Sequence, residues 1–182
     1  MTMDEEHENE AMQIKAVRDN PAEFEKLYQR WVAPLYRYIY ARVGNPADAE
    51  DLTSQVILAA YQGLPGYQHR DNFAGWLFTI ARNQTWRWIT RRRREQPLDY
   101  EPVPLTQPDL LADISKLQEI QRLRKLVFAL PEDEKELIYL RYVAGLKFSE
   151  MSIVLKRSED AVKKSVYRLQ DRLHTLLEDS ND

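Results

Sequence analysis

The sequence predicts an all-α protein of two small helical domains joined by a Pro-rich linker, the second containing a helix-turn-helix. Three observations carry that prediction. Only five glycines occur in 182 residues, while Leu, Ala, Glu, Arg and Gln abound, a composition that favours helices. Apolar residues recur at three- and four-residue spacing on both sides of a single interval. That interval, residues 95–109 (EQPLDYEPVPLTQPD), holds four prolines and no apolar period, which suits an extended, semi-rigid spacer. The domains then occupy residues 1–94 and 110–182.

In the first domain, residues 4–18 read as a weak helix. Asn20-Pro21 is a start signal, with Asn as cap and Pro at the first helical position. Phe24, Leu27, Tyr28, Trp31, Leu35 and Ile39 follow along one face, and Gly44 supplies the stop. Asn45-Pro46 repeats the start signal for a helix that turns Leu52, Val56, Ala59 and Ala60 inward and ends near Gly63. Leu64-Pro65-Gly66 is a turn and Tyr67–Asp71 a loop. Asn72 then caps a long helix from Phe73 to about Arg94, with Phe73, Trp76, Leu77, Ile80, Gln84 and Trp88 along one side.

The second domain begins with a helix from about Leu110 to Leu130. Pro131 opens the next, with Glu132, Asp133 and Glu134 in the first turn, where the helix dipole favours acids, and Gly145 ends it. Ser149 caps a short helix to Leu155, Lys156-Arg157 turns, and Ser158 caps the last helix. There Val162, Val166, Leu169 and Leu173 form a buried stripe, leaving Lys163, Lys164, Tyr167 and Arg168 on the exposed side. Two short helices joined by a tight turn over Gly145–Leu173 have the layout that lays a helix into the DNA major groove.

The net charge of −3 hides segregation. Residues 61–94 carry seven Lys and Arg against one Asp, whereas residues 1–60 carry six against eleven acids. One concentrated basic block on a mildly acidic chain allows local nucleic-acid binding without general coating of DNA. Cysteine is absent, which excludes disulfides, thiolate zinc sites and thiol nucleophiles and fits a reducing, cytoplasmic setting. The longest apolar run, Val56–Tyr61, is too short for membrane insertion, and the acidic N-terminus is unlike a secretory signal. His7, His69 and His174 are scattered, and no Walker, GxGxxG or GxSxG segment occurs. The expectation is a non-enzyme with no catalytic site, cofactor or metal.

Three surfaces remain as candidates, each with an ordinary reading beside a functional one. The outer face of the last helix offers Lys163, Lys164, Tyr167 and Arg168 to phosphates and base edges, or is a solvated amphipathic face that also carries Glu159, Asp160 and Asp171. In IARNQTWRWITRRRR, residues 80–94, arginines alternate with aromatics. That mixture suits stacking on unpaired bases while guanidinium groups hold phosphates, or it reflects core tryptophans and an Arg91–Arg94 run that offsets the helix dipole. Asp48, Glu50 and Asp51 in NPADAED complement a helix N-terminus, or dock on a basic partner.

The order and spacing of four blocks resembles bacterial sigma factors of the extracytoplasmic-function (ECF) subfamily. The blocks are FEKLYQRW…LYRYIYAR (24–42), DAEDL (48–52), FAGWLFTIARNQ (73–84) ending in RRRR, and LPEDEKELIYLRYVAGLKFSEMSIVLKRSEDAVKKSVYRLQDRL (130–173). The resemblance implies a first domain that binds core RNA polymerase and opens the minus-ten promoter element, and a second that reads the minus-thirty-five element. It places Asp48, Glu50, Asp51, Leu52 and Gln55 in polymerase docking. Loop Tyr67–Asn72 and residues Asn72, Arg82, Asn83, Trp86, Arg87 and Arg91 fall in minus-ten DNA binding, and Ser158, Lys163, Lys164, Tyr167 and Arg168 in minus-thirty-five DNA binding. It implies core RNA polymerase, promoter DNA and an anti-sigma factor as partners. Departures are local: Thr53-Ser54-Gln55 follows DAEDL where the family usually has a Gln-Glu pair, and Ser165 stands where an arginine is usual. The other readings are a stand-alone helix-turn-helix regulator and a sigma-mimicking helical adaptor that binds no DNA.

Overall fold

Asparagine caps start three helices of the first domain where the sequence places them. In the computed structural model, which describes Val17 and residues 20–67, 72–95 and 114–178, Asn20 opens a 3-10 turn, Pro21–Glu23, that runs into helix α1, Phe24–Val43. Its side chain accepts the Ala22 N–H at 3.1 Å. Asn45 caps α2, Pro46–Gly63, by accepting the Asp48 N–H at 3.1 Å. Asn72 caps α3, Phe73–Glu95, by accepting the Gly75 N–H at 2.9 Å. Each cap satisfies a backbone donor that the helix cannot pair internally. The expected helix at 4–18 (apart from Val17), most of the loop before Asn72, the linker past Glu95, which itself ends α3, and the first four residues of the helix expected from Leu110 lie outside the described residues.

Leu27, Trp31, Leu35, Tyr38 and Ile39 of α1 pack with Leu52, Val56 and Ala60 of α2 and with Phe73, Leu77, Phe78 and Ala81 of α3. Phe78 meets Trp31 and Tyr38 edge-on, at 6.2 and 5.5 Å between ring centroids. Two expectations need correction. Tyr28 is exposed rather than buried, because the inward stripe of α1 runs through Leu27, Trp31, Leu35 and Tyr38 and leaves Tyr28 beyond its edge. In α3, Trp76, Ile80, Gln84 and Trp88 are only half-buried, and the buried line passes through Phe78, Ala81, Thr85 and Ile89. Phe73, Leu77 and Phe78 fill the contact together with Ala81, and Trp76, Ile80 and Trp88 pack against its edge.

The second domain comprises α4 (Ile114–Ala129), α5 (Glu132–Ile138), α6 (Phe148–Leu155) and α7 (Glu159–Glu178). Past Ile138 the chain continues as one π turn, Tyr139–Val143, closed by Ala144 N–H donating to the Tyr139 carbonyl at 2.9 Å. Gly145, at φ 78°, ends it in the left-handed region as expected. Ser149 is not the cap of α6. The helix begins at Phe148, and the Glu150 carboxylate accepts the Lys147 N–H at 2.6 Å. An acid three positions into the helix does the work that was assigned to the serine. Ser158 does cap α7, its hydroxyl accepting the Ala161 N–H at 3.3 Å. Val162, Val166 and Leu169 are buried with Leu140, Leu146, Met151 and Val154, while Leu173 is half-buried.

The two domains pack against each other, α3 crossing α6. Gly75 makes this approach possible. A Cβ there would lie 3.0 Å from the Ile153 Cβ and 3.1 Å from the Glu150 carbonyl oxygen. A larger side chain would therefore push α6 away.

Candidate nucleic-acid interface

On α7, Lys163, Lys164, Tyr167 and Arg168 are all exposed. Tyr167 is steadied by Phe148 of α6 at 5.9 Å, edge to face, and the Arg141 guanidinium lies 4.5 Å over that same Phe148 ring. The turn before α7 adds a cation that the sequence reading assigned only to the turn. Arg157 donates to the Ser165 hydroxyl at 2.6 Å and to the Ala161 carbonyl at 3.2 Å. This lays a guanidinium along the helix surface beside Ser165. Nothing local in the sequence shows that Arg157 folds back across two helical turns.

On α3, Arg82, Asn83, Trp86, Arg87 and Arg91 are exposed, with Trp86 49% accessible. Asn72, also placed in this group, is half-buried and its side-chain oxygen is engaged as the helix cap. Tyr67, at the start of the preceding loop, is buried against Trp76 and Phe73. The exposed α3 residues face two different surroundings. Arg82, Asn83 and Trp86 line a cleft with Arg42, and its far wall is Glu132, Asp133 and Glu136 of α5. Arg87 and Arg91 line another with Asp48, Asp51 and Gln55 of α2.

Glu136 sits at the centre of the first cleft's wall and is buried. Tyr38 donates its hydroxyl to Glu136 at 2.7 Å, Arg42 pairs with the same carboxylate, and the Arg82 Nε is 3.4 Å from it. Burial pushes the Tyr38 hydroxyl up to about 12, against the opposing pull of Arg42 and Arg82, so it stays protonated and able to donate. Glu132 adds weaker pairs to Arg42 at 3.9 Å and Arg93 at 3.5 Å, and Arg37 reaches the Val143 carbonyl of the π turn at 3.4 Å.

On α2, Glu50, Asp51 and Gln55 are exposed and Asp48 is half-buried, which leaves an acidic strip available to a partner. Leu52, assigned to the same docking group, is buried at 3% exposure and belongs to the core. Thr53 and Ser54 turn their hydroxyls back to the Ala49 and Glu50 carbonyls, at 2.7 and 3.0 Å.

Residues 27–95 match sigma-70 region 2 and residues 120–169 match sigma-70 region 4, together well over half of the chain. The ECF sigma factor BldN of Streptomyces coelicolor is 35% identical over 165 residues, 86% of this chain and 61% of BldN. The chain belongs to the ECF sigma factors. SigM of Bacillus subtilis, 24% identical, is matched over 84% of this chain and 93% of its own. The fold of this sigma factor is shared with two solved structures. RpoE of Bartonella quintana, solved with the anti-sigma factor NepR, superposes with a TM-score of 0.67 at 23% identity, over 86% of this chain and 97% of RpoE. CnrH, solved with the cytosolic domain of CnrY, gives 0.66 at 21% identity, over 92% and 96%. No helix among the described residues of this sigma factor is long and apolar enough to cross a membrane.

Proposed function

We propose that this sigma factor binds core RNA polymerase and directs promoter-specific initiation, without enzymatic activity of its own. The observation that carries the reading is the presence, on one chain, of two separate basic faces with different chemistry. The α3 face mixes Trp86 with Arg82, Arg87 and Arg91. Aromatic rings and guanidinium groups suit an unpaired strand, whose bases stack and whose phosphates need cations. The α7 face is a helix-turn-helix surface suited to duplex DNA. Holding a base out of the stack costs a few kcal/mol, and one base-edge contact contributes about 1–3 kcal/mol. Neither face is strongly specific alone, and joining them on one chain raises the effective concentration of the second once the first is bound. The acidic strip Asp48, Glu50, Asp51 and Gln55 is the docking surface for the polymerase. A partner of the kind that NepR is for its RpoE would mask these faces.

Run-off transcription with purified core polymerase on a promoter library tests the reading. Promoter-dependent transcripts are expected. Tight duplex binding by the isolated protein with no transcript would instead favour a stand-alone regulator. Asp48→Lys with Asp51→Lys should weaken core-polymerase binding by at least about tenfold, since the substitutions reverse two charges on one face and a tenfold loss needs only about 1.4 kcal/mol. Unchanged polymerase affinity would remove α2 from the docking surface.

A further inference from the structure

We propose that Arg157, held down on α7 by Ser165, is a preformed clamp for one backbone phosphate of duplex DNA. The proposal rests on the minus-thirty-five reading of α7 given above and adds a phosphate contact that fixes how the helix sits in the groove.

The Arg157 side chain is tied at its tip. One terminal nitrogen donates to the Ser165 hydroxyl at 2.6 Å and to the Ala161 carbonyl at 3.2 Å. Those two bonds use both N–H groups of that nitrogen. A guanidinium has five, so three remain for an outside acceptor. Arg157 is exposed, and among the described residues no carboxylate pairs with it. The Ser165 oxygen accepts from Arg157, which leaves its own O–H to donate. Guanidinium and hydroxyl thus stand side by side as donors.

Placement selects the acceptor. Ala161 and Ser165 are four residues apart and share one flank of α7. The buried stripe of Val162, Val166 and Leu169 lies to one side of that flank, and the outermost ridge, at Asp160 and Lys164, to the other. A helix lying in the major groove turns its outermost ridge to the bases and its flanks to the phosphate walls. Arg168, three residues beyond Ser165, continues the same flank as an exposed cation.

The helix field favours the same acceptor. The first turn of a helix prefers anions, and a guanidinium drawn there gains nothing from that field. Glu159 and Asp160 lie in the same turn, but neither comes within ion-pair distance of Arg157. A phosphate on this flank would meet the guanidinium, the Ser165 hydroxyl and the favourable field together. Because the tip is already tied, little side-chain freedom is lost on binding. A fixed tip also sets where along the strand the helix comes to rest, which conveys register rather than sequence.

The test uses the full chain on core polymerase and a duplex that carries an upstream element recovered from the run-off library and stops short of the minus-ten element. Arg157→Gln keeps a donor for Ser165 and loses the charge. It should weaken binding by about tenfold, the scale of one charge-assisted contact. It should also lower the log–log salt slope by about 1. The loss should be equal on every upstream sequence, because a phosphate carries no sequence information. Arg157→Lys should keep the slope. Ser165→Ala keeps the charge but frees the tip, so affinity should fall by about threefold with the slope unchanged. Replacing duplex phosphates one at a time by methylphosphonate should reveal one position where the native chain loses about tenfold and Arg157→Gln loses nothing. An unchanged salt slope in Arg157→Gln would overturn the clamp, whatever the affinity, and leave Arg157 as a brace of the turn. A phosphate scan identical for the two proteins would overturn it as well. Unaltered affinity in Ser165→Ala would overturn the tethering role of Ser165. If Lys164→Ala combined with Arg168→Ala also leaves duplex binding unchanged, the reading of α7 itself has failed. If that pair weakens binding while Arg157→Gln does not, only the clamp has failed.

Discussion

Two helices carry the basic faces of this sigma factor, and they are presented in opposite ways. The α7 face is open to solvent, and its neighbours Phe148 and Arg157 steady it from the same domain. Part of the α3 face is turned toward the other domain, and Arg82 is paired with Glu136 across the contact. The difference teaches that exposure of a charged residue on its own helix does not make it available. Arg82 and Lys164 look alike on a helical wheel, but one has a carboxylate facing it and the other faces water.

The largest effect should come from breaking the platform of the α3 face while leaving α7 alone. Phe78 is fully buried and holds α3 to Trp31 and Tyr38, so Phe78→Ala should cost about 3–5 kcal/mol. Urea unfolding measures this, and a loss under 1 kcal/mol would mean that α3 is held mainly by the second domain.

A smaller effect should sharpen the contrast from the other side. Lys164→Ala and Arg168→Ala should each weaken upstream-duplex binding by about 1–3 kcal/mol if the side chain reads a base. If it holds a phosphate, the log–log salt slope should fall by about 1 instead. Core-polymerase binding should not change in either variant. Titrations at two salt concentrations separate these outcomes, and insensitivity of duplex binding to both substitutions would remove α7 as the reader.

The smallest effect lies in the turn of the helix-turn-helix. Lys156 adopts φ 53°, a left-handed conformation that costs most L-residues energy. Lys156→Gly should therefore stabilise the second domain by about 0.5 kcal/mol, after glycine's added freedom in the unfolded chain is set against the relieved strain. Thermal unfolding would show a small rise, and α3 strand binding should be unaffected.

Much of the fold was legible in the sequence because its signals are local. Asn45 and Asn72 cap their helices through bonds to the backbone three residues on, and Gly145 ends its helix in a conformation suited to glycine. The exposed residues of α7 followed directly from its apolar stripe. Misreadings arose where two surfaces competed for one helix. The side of α3 that carries Phe73, Trp76, Leu77, Ile80 and Trp88 does pack on the core, but packing on a second side also buries Ala81 and Thr85. Asn72 and Leu52 carry the right residue types for the surfaces assigned to them, but one side chain is committed to a cap and the other to the core.

By itself the sequence determined most of the described helices, the asparagine and Ser158 caps, the segregation of charge and the family, since each depends on neighbours within a turn or two or on the order of motifs. Only the tertiary structure decided which acids meet which arginines. Tyr38 and Glu136 lie 98 residues apart, and no periodicity links them. Their contact is made where α1 packs against the π turn that follows α5, and that meeting is set by the shapes of two packed surfaces.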